Sequence, residues 1–288
     1  MTAPTARLGR AIVTGAGGFI GQKLIAHLRT MKVEVAALGR ADCDLRDLAA
    51  VKRIFNDIAP DTIFHLAATG QAGPAADSLA TISDNAAMAE NVARSAPSNS
   101  RVVIAGSMSE YGRSGRLREA DCCTPHTGYG LAKLTAGQRA TMVGQERGIE
   151  ICNARLFGVF GPGEAPHRLF PAVLAALRAG RAIALSDGLQ RRDFVHVGDV
   201  CQALTALAQA AECPPIINVG TGQALQVRAV IEHLADLCAA PRELLQFGVR
   251  QRSVHDEDIV EADVSLLATI IPPPPQRLIP PYKLALFN

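Results

Sequence analysis

Residues 14–21 read Thr-Gly-Ala-Gly-Gly-Phe-Ile-Gly and directly follow the short apolar run Ala11-Ile12-Val13. Gly15, Gly18 and Gly21 are spaced three residues apart, where a buried strand turns into a helix. Glycines at such a turn let bare backbone approach a pyrophosphate, and the N–H groups of the opening helix face that anion. The preceding strand and the apolar helix face that follows favour this interpretation over an ordinary glycine-rich turn. The stretch therefore predicts a dinucleotide-binding strand–turn–helix unit.

Strands and helices alternate along the chain. Apolar runs predict strands at 11–14, 33–38, 62–66, 101–105, 150–155 and 216–219, and helices at 22–31, 48–58, 82–95 and 130–147. The first four strands carry little internal polarity, as expected for parallel strands covered on both faces. The pattern predicts an α/β fold with a doubly wound parallel sheet of the Rossmann type.

The alternation breaks after Gly158, where a Gly/Pro loop at 161–163 precedes a helix near 171–178. A further helix is predicted over 227–238, and the proline-rich segment after it is expected to be extended. We expect two parts. Residues 1–157 with 189–222 would form an NAD(P)-binding Rossmann domain, and 158–188 with 223–288 would form a small substrate-binding lobe.

Composition excludes several classes of protein. The 288 residues are 48% hydrophobic and carry a net charge of +2 without a dense Lys/Arg block, so no nucleic-acid or membrane partner is expected. The seven cysteines show no CxxC and no metal-ligand spacing, which predicts reduced thiols, no metal site and a reducing compartment. No apolar run approaches the roughly 18 residues of a membrane span, and the first strand begins too early for a signal peptide. We expect a cytoplasmic protein.

A Tyr-x-x-x-Lys pair, Tyr129 and Lys133, falls in the helix predicted from residue 130. The spacing puts both side chains on one helix face, and an ammonium near a phenol stabilises the phenolate, so Tyr129 could exchange a proton with a sugar oxygen. Ser107 follows the strand at 101–105, and ligands of open parallel sheets bind beyond the carboxyl ends of strands. Taken alone, Tyr129 and Lys133 could simply share an exposed helix face. Ser107 could equally be a turn serine that hydrogen-bonds the local backbone.

Several further motifs accompany these residues in a fixed order. They are Thr-Gly-x-x-Gly-Phe-Ile-Gly (14–21), His65-Leu66-Ala67-Ala68, Ser107 with Tyr111-Gly112, Tyr129 with Lys133, Gly161-Pro162-Gly163, Arg192-Asp193-Phe194 with Asp199, and Asn218-Val219-Gly220. Together they resemble the extended short-chain dehydrogenase/reductase family, the epimerase, dehydratase and reductase group that acts on nucleotide sugars. Residues 60–68 and 109–112 look most similar to the GDP-4-keto-6-deoxy-mannose reductases.

The resemblance implies site residues. Tyr129 would be the general acid/base, Lys133 would hold the nicotinamide ribose, and Ser107 would orient the sugar. The implied cofactor-binding residues are Gly15, Gly18, Phe19, Ile20, Gly21, Asp44, Leu45, Leu66, Ala67, Ala68, Tyr129 and Lys133. The implied substrate-binding residues are Ser107, Ser109, Arg192 and Arg252, with Arg250 as the second choice for Arg252. A solvated surface arginine remains the alternative at 250 and 252.

Departures from the family pattern narrow the reaction. The second strand ends Leu38-Gly39-Arg40 without the acid that binds a ribose 2′-hydroxyl, so Arg40 favours NADP over NAD, unless it is an exposed loop residue. Dehydratases of the group carry acids where this chain has Met108 and Ser109; Glu110 comes one place later, and strand alternation would turn it elsewhere. Gly158 replaces a family asparagine near the sugar nucleotide.

These features predict an NADP-dependent reductase of a nucleotide-linked 4-keto-6-deoxy sugar, with GDP or dTDP as the nucleotide. The alternative is a nucleotide-sugar 4-epimerase that keeps NAD tightly bound, since it needs the same Ser, Tyr and Lys. A third possibility is a non-catalytic NAD(P)-binding regulator on the same fold. The family resemblance also implies a homodimer formed through the helices at 82–95 and 130–147, unless the alanine-rich face of the first helix packs on its own sheet.

Overall fold

The computed structural model describes residues 8–70, 78–279 and 282–287. Its strands are β1 (Arg10–Thr14), β2 (Glu34–Leu38), β3 (Thr62–His65), β4 (Arg101–Ser107), β5 (Gly115–Leu117), β6 (Glu150–Leu156), β7 (Gly158–Phe160), β8 (Ile183–Ala184), β9 (Arg191–His196), β10 (Ile216–Val219), β11 (Ala224–Gln226), β12 (Leu245–Gln246) and β13 (Ile259–Ala262). Its α-helices are α1 (Phe19–Thr30), α2 (Leu48–Ile58), α3 (Leu79–Ser95), α4 (Gly128–Arg147), α5 (Leu169–Arg178), α6 (Val197–Gln209) and α7 (Val227–Leu237).

A six-stranded parallel sheet in the order β10-β6-β4-β3-β1-β2 forms the centre of the fold. The chain runs from β1 outward to β2 and then returns to β3 on the other side of β1. This reversal opens a crevice at the carboxyl ends of β1 and β3, where ligands of doubly wound sheets bind. The predicted fold class is confirmed.

Helices cover both faces of this sheet. Leu24 of α1 and Leu204 of α6 belong to a buried cluster on one face. Phe55 of α2, Val92 of α3 and Ala140 of α4 belong to the cluster on the other. Apolar burial on both sides explains why the central strands read as nearly continuous apolar runs.

A second sheet lies beyond the carboxyl end of the first. It has the order β11-β9-β13-β5, with β7 paired to β9, and β8 and β12 form a separate short pair. Asp193 of β9 is fully buried and accepts hydrogen bonds from Thr221 Oγ1 (2.6 Å), the Gly222 N–H (2.9 Å) and the Ala262 N–H (3.2 Å). One carboxylate therefore ties the loop after β10 and the strand β13 to β9.

Residues 278, 282, 284, 286 and 287 of the C-terminal segment belong to or pack against a third apolar cluster, which contains residues of α5 and α7. Leu278 and Tyr282 are buried in it, and the Tyr282 hydroxyl donates to the Val230 carbonyl (2.6 Å). The Arg277 guanidinium makes a fork of two hydrogen bonds to Asp199 (2.6 and 2.7 Å) in the first turn of α6. The segment therefore joins this cluster to the helix layer of the central sheet.

The six strands and four helices predicted for the central layers are all present, with ends shifted by a few residues. The helix α1 starts at Phe19 rather than residue 22, because Gly18 is its N-cap and the helix opens inside the glycine motif. The helix α6 was not predicted. Nine of its 13 residues are buried, so its sequence lacks the single apolar stripe that identifies a surface helix.

Candidate active site

The glycine turn forms a backbone cradle after β1. Gly15 has a φ of +68°, and a Cβ there would lie 2.7 Å from the Ala67 nitrogen. A Cβ at Gly21 would collide with the Gly15 carbonyl oxygen, whereas a Cβ at Gly17 would meet nothing within 4 Å among the described residues. The helix α1 follows Gly18, and no described side chain caps its first N–H groups. Free helix N–H groups beside an open glycine are suited to a pyrophosphate.

The floor of the crevice is fixed by a pair between β1 and β3. Thr14 Oγ1 lies 2.9 Å from His65 Nδ1, and the Ala67 N–H donates to the same hydroxyl (3.3 Å). Burial, helped by the positive charge of Lys133, lowers the pKa of His65 to about 3. The imidazole is therefore neutral at physiological pH and acts as a fixed hydrogen-bonding group beneath the cradle.

A cavity of about 620 Å³ lies at the carboxyl ends of the strands, and Ser107, Tyr129 and Lys133 line it together with the glycine cradle. Tyr129 and Lys133 share the first turns of α4, as their spacing predicts. The Lys133 side chain is buried; its ammonium donates to the Ala105 carbonyl (2.8 Å) and lies 5.9 Å from the centre of the Tyr129 ring. The structure thus brings the three proposed catalytic residues to one cavity.

Ser107 ends β4 and caps a short 3₁₀ turn over Met108–Glu110. Its hydroxyl accepts from the Ser109 N–H (3.1 Å), and its own N–H donates to the Glu110 carboxylate (2.8 Å). Glu110 is fully buried and pairs with Arg155 (2.8 Å). The sequence predicts that strand alternation turns the Glu110 side chain elsewhere, and this reason is wrong. The strand β4 ends at Ser107, and the 3₁₀ turn that follows directs the Glu110 carboxylate into the interior.

The other predicted cofactor residues near the cradle lie in two environments. Phe19, Ile20 and Leu66 line the 620 Å³ cavity. Ala67 and Ala68 are half-buried in the segment after β3, and Ala67 packs against the cluster of α2, α3 and α4. A Cβ at Gly15 would strike this segment, so the cradle and Ala67 are in direct backbone contact.

Around the end of β2, the predicted residues are spread out. Arg40 is exposed, and Asp44 is bound by Arg46 (2.8 Å), which lowers the pKa of Asp44 to about 2. Leu45 is buried in the core, so only its backbone could face a cofactor. A shallow cavity of about 400 Å³ beside the cradle is lined instead by Arg29 and Asp42, among others.

A second cavity, of about 560 Å³, adjoins the first and gathers Arg192, Arg250 and Arg252. Arg192 forms an ion pair with Asp256, and Arg252 Nε lies 3.5 Å from the same carboxylate. The structure therefore brings Arg192 of β9 together with both candidate partners from the segment before β13. A cluster of guanidinium groups in a cavity suits a diphosphate.

Six residues line both cavities and so mark their junction: Met108, Gly158, Val159, Glu164, His167 and Arg168. Gly158 has no room for the asparagine expected from the family, since a Cβ there would lie 2.9 Å from the Asp193 carbonyl oxygen. Ser109 lines the catalytic cavity. Sequence reasoning missed Glu164, His167 and Arg168, although Glu164 directly follows the Gly161-Pro162-Gly163 motif.

The described residues contain no cluster of three or more His, Cys, Asp or Glu side chains that could hold a metal ion. All seven cysteines lie within the described ranges and are free thiols. In the described part of the chain, none of the helices combines the length and apolarity that crossing a bilayer requires.

Comparison with known proteins identifies the family. Residues 11–220 match the profile of the NAD dependent epimerase/dehydratase family. The dTDP-6-deoxy-L-talose 4-dehydrogenase (NAD(P)(+)) of Kitasatospora kifunensis is 29% identical, covering 97% of this chain and 95% of its own. The GDP-6-deoxy-D-mannose reductase of Pseudomonas aeruginosa is 27% identical over 87% of each chain. The structure of MoeE5 in complex with UDP-glucose and NAD has a TM-score of 0.80 and 29% identity over 91% of this chain and 92% of that one.

The chain therefore belongs to the NAD dependent epimerase/dehydratase family, of the extended short-chain dehydrogenase/reductase type. This is an NAD(P)-dependent enzyme family that modifies nucleotide sugars and includes reductases, epimerases and dehydratases.

Proposed function

We propose that the protein is an NADP(H)-dependent reductase of the 4-keto group of a nucleotide-linked 4-keto-6-deoxy sugar. The observation that carries this proposal is the continuous pair of cavities. Ser107, Tyr129 and Lys133 lie at one end and the arginine cluster around Asp256 lies at the other. A hexose diphosphate laid along this path would place its sugar at the hydroxyl groups and its phosphates at the arginines.

The chain's own residues fit a nicotinamide dinucleotide. The cradle at Gly15, Gly18 and Gly21 would hold the pyrophosphate. The Lys133 ammonium donates one hydrogen bond to the Ala105 carbonyl and has further protons that could bind a ribose. A nicotinamide cofactor bound there supplies the hydride that reduces a carbonyl carbon. Tyr129 would donate a proton to the carbonyl oxygen, and Ser107 would orient that oxygen by a hydrogen bond.

The chemistry of the neighbouring side chains favours simple reduction over dehydration. Loss of a hydroxyl from the sugar needs an acid that protonates the leaving oxygen and a base that removes a carbon-bound proton. Met108 and Ser109, which line the cavity beside Ser107, supply neither. Glu110 is committed to Arg155, Asn153 and the Ser107 backbone, away from the substrate path.

One relative supports reaction at the sugar C4, because it is named a 4-dehydrogenase of dTDP-6-deoxy-L-talose. A second, named GDP-6-deoxy-D-mannose reductase, supports an oxidoreductase of nucleotide-linked 6-deoxy sugars. The end of β2 has no acid that could bind a ribose 2′-hydroxyl and is followed by Arg40, which supports NADP. The second candidate function is a 4-epimerase with tightly bound NAD, which the same serine, tyrosine and lysine would serve.

The experiment that tests the proposal has two parts. The purified protein is denatured and any released nucleotide is identified, and the native protein is assayed for NADPH oxidation with GDP- and dTDP-4-keto-6-deoxyhexoses. A reductase exchanges NADP freely and oxidises NADPH with at least one of these sugars. Stoichiometric release of NAD, without net NADPH oxidation, would favour the epimerase instead.

We also propose that the chain forms a homodimer through α3 and α4, which lie side by side. Ala89 and Ala93 of the alanine-rich face of α3 are buried in the protein's own core, whereas Ala86 and Ala87 are half-buried. The outward residues Met142 (64% exposed) and Leu131 (41% exposed) of α4 are the apolar candidates for the contact. Light scattering on the native protein and on Met142→Glu would test it: the proposal predicts a dimer that the glutamate weakens.

A further inference from the structure

Glu164 has the features of a recognition group at the junction of the two cavities. Its side chain is only 7% exposed, and it lines both the catalytic cavity and the arginine cavity. One carboxyl oxygen lies 3.5 Å from Arg168 Nε. The other is buried and has no hydrogen-bond partner among the described residues.

An unpartnered buried carboxyl oxygen is unfavourable in a folded protein unless a ligand completes it. The position of Glu164 indicates which part of a ligand would contact this oxygen. Ser107 and Tyr129 line the cavity on one side of Glu164, and Arg192 and Arg252 line the cavity on the other side. Between a reacting carbon and a diphosphate, a nucleotide sugar has its hexose hydroxyls.

We propose that Glu164 is a specificity-determining residue that binds ring hydroxyls of the hexose. This inference rests on the proposed function, since it assumes that a nucleotide sugar occupies both cavities. The Glu164 carboxylate accepts hydrogen bonds from one or two hydroxyls, and the Arg168 guanidinium holds it in place. Carboxylates recognise hydroxyl donors strongly because charge-assisted hydrogen bonds are stronger than neutral ones.

Several charged and titratable groups line the two cavities that Glu164 faces. His167 and Arg168 belong to its own loop, Arg192, Arg252 and Asp256 line the arginine cavity, and Tyr129 and Lys133 line the catalytic cavity. Burial raises the pKa of Glu164 to about 7 against the opposing effect of Arg168. Hydroxyl donors favour the ionised carboxyl, so affinity for a hexose-bearing ligand rises with pH around neutrality.

The test compares ligands that differ only in the hexose. Calorimetry on the full chain with NADPH present measures the Kd of GDP-mannose against GDP and of dTDP-glucose against dTDP. These hexoses already carry a 4-hydroxyl, so NADPH has no 4-keto group to reduce. The parent protein should bind one hexose-bearing ligand, and Glu164→Ala should weaken it about tenfold while leaving the matching nucleoside diphosphate within about twofold. The exposed Glu212→Ala is the matched control.

Glu164→Gln is the second variant, because an amide keeps the shape of the carboxyl and loses its titration. It should abolish the gain in hexose affinity between about pH 6 and pH 8 that the parent shows. Equal weakening of both ligands in Glu164→Ala, or an unchanged pH slope in Glu164→Gln, would overturn the proposal. Because binding is measured without turnover, the inference can fail while the reductase assay succeeds, and the reverse.

Discussion

Glu110 and Arg155 form a fully buried ion pair, 2.8 Å apart, directly behind the proposed catalytic serine. The same Glu110 carboxylate accepts from the Ser107 N–H (2.8 Å) and from Asn153 Nδ2 (3.1 Å). Burial by itself would lower the pKa of Arg155, but the Glu110 carboxylate beside it raises that pKa overall. The Arg155 guanidinium also lies over the Tyr111 ring, 4.4 Å from its centre. The buried Glu110–Arg155 ion pair therefore fixes the end of β4 at Ser107.

Removing the charge of Glu110 should destabilise the whole protein. Glu110→Gln leaves the Arg155 guanidinium buried without its counter-ion, and breaking a buried pair costs about 3–5 kcal/mol. Urea unfolding measures the loss in free energy of unfolding, with the exposed Glu212→Gln as control. A Glu110→Gln protein as stable as the control would show that the pair contributes nothing.

Tyr129→Phe should remove the proton donor and keep the fold. We expect kcat to fall by about two to four orders of magnitude, the usual contribution of general acid catalysis, while NADPH binding stays unchanged because the ring still packs. Steady-state kinetics and cofactor fluorescence titration separate the two effects. Near-normal turnover in this variant would contradict the assigned role of the phenol.

Acid should weaken the protein through His65. Above pH 6.5, the ordinary pKa of histidine, His65 is neutral in both the folded and the unfolded protein. Between pH 6.5 and about pH 3, His65 is protonated only in the unfolded protein, so the free energy of unfolding falls as the pH falls. The loss grows by at most about 1.4 kcal/mol per pH unit for this one group and levels off below the folded-state pKa. Unfolding curves at several pH values should give a shallower pH slope in His65→Asn than in the parent, while the exposed His255→Asn keeps the parent slope. Equal slopes in all three proteins would refute this source of acid sensitivity.

Arg192→Lys should weaken substrate without affecting cofactor. The lysine keeps the charge but loses the planar fork that matches a diphosphate and Asp256. We expect the KM of the nucleotide sugar to rise about tenfold with kcat nearly unchanged, and the KM of NADPH to stay constant. Arg242→Lys, at an exposed pair with Asp236, controls for the substitution itself. If the two variants behave alike, Arg192 does not bind the diphosphate.

Arg40→Ser should change the choice of cofactor. Without the guanidinium, a 2′-phosphate loses its charge partner, so kcat/KM for NADPH should fall about tenfold relative to that for NADH. The exposed Lys52→Ser on α2 provides the control. An unchanged ratio would point to Arg29, which lines the shallow cavity beside the cradle, as the residue that meets the phosphate.

The central sheet could be read from the sequence because its strands are covered on both faces and its helices mostly show one apolar stripe. The second sheet and the separate β8–β12 pair could not be predicted in this way. The strands β8 and β12 have two residues each, and β5 and β11 of the second sheet have three, too short for a periodic pattern. Their pairing depends on residues such as Asp193 whose partners are distant in the chain.

The same division holds for the candidate site. The cradle and the Tyr129–Lys133 pair are local patterns in which spacing alone predicts a shared face or turn. Glu110 and Arg155 are 45 residues apart, and no local pattern predicts that they meet. Glu164 follows a recognisable motif, but its burial comes from the packing of the loop between the two cavities.

Transfer of deuterium from NADPH that carries deuterium at both of its C4 positions tests the central claim most directly. The protein is incubated with the 4-keto-6-deoxyhexose nucleotide that it turns over best, and the product is examined by NMR and mass spectrometry. The account predicts one deuterium at the sugar C4 for each NADPH oxidised, and none with Tyr129→Phe over the same time. A product without deuterium at C4, or no oxidation of NADPH with any of these sugars, would contradict it.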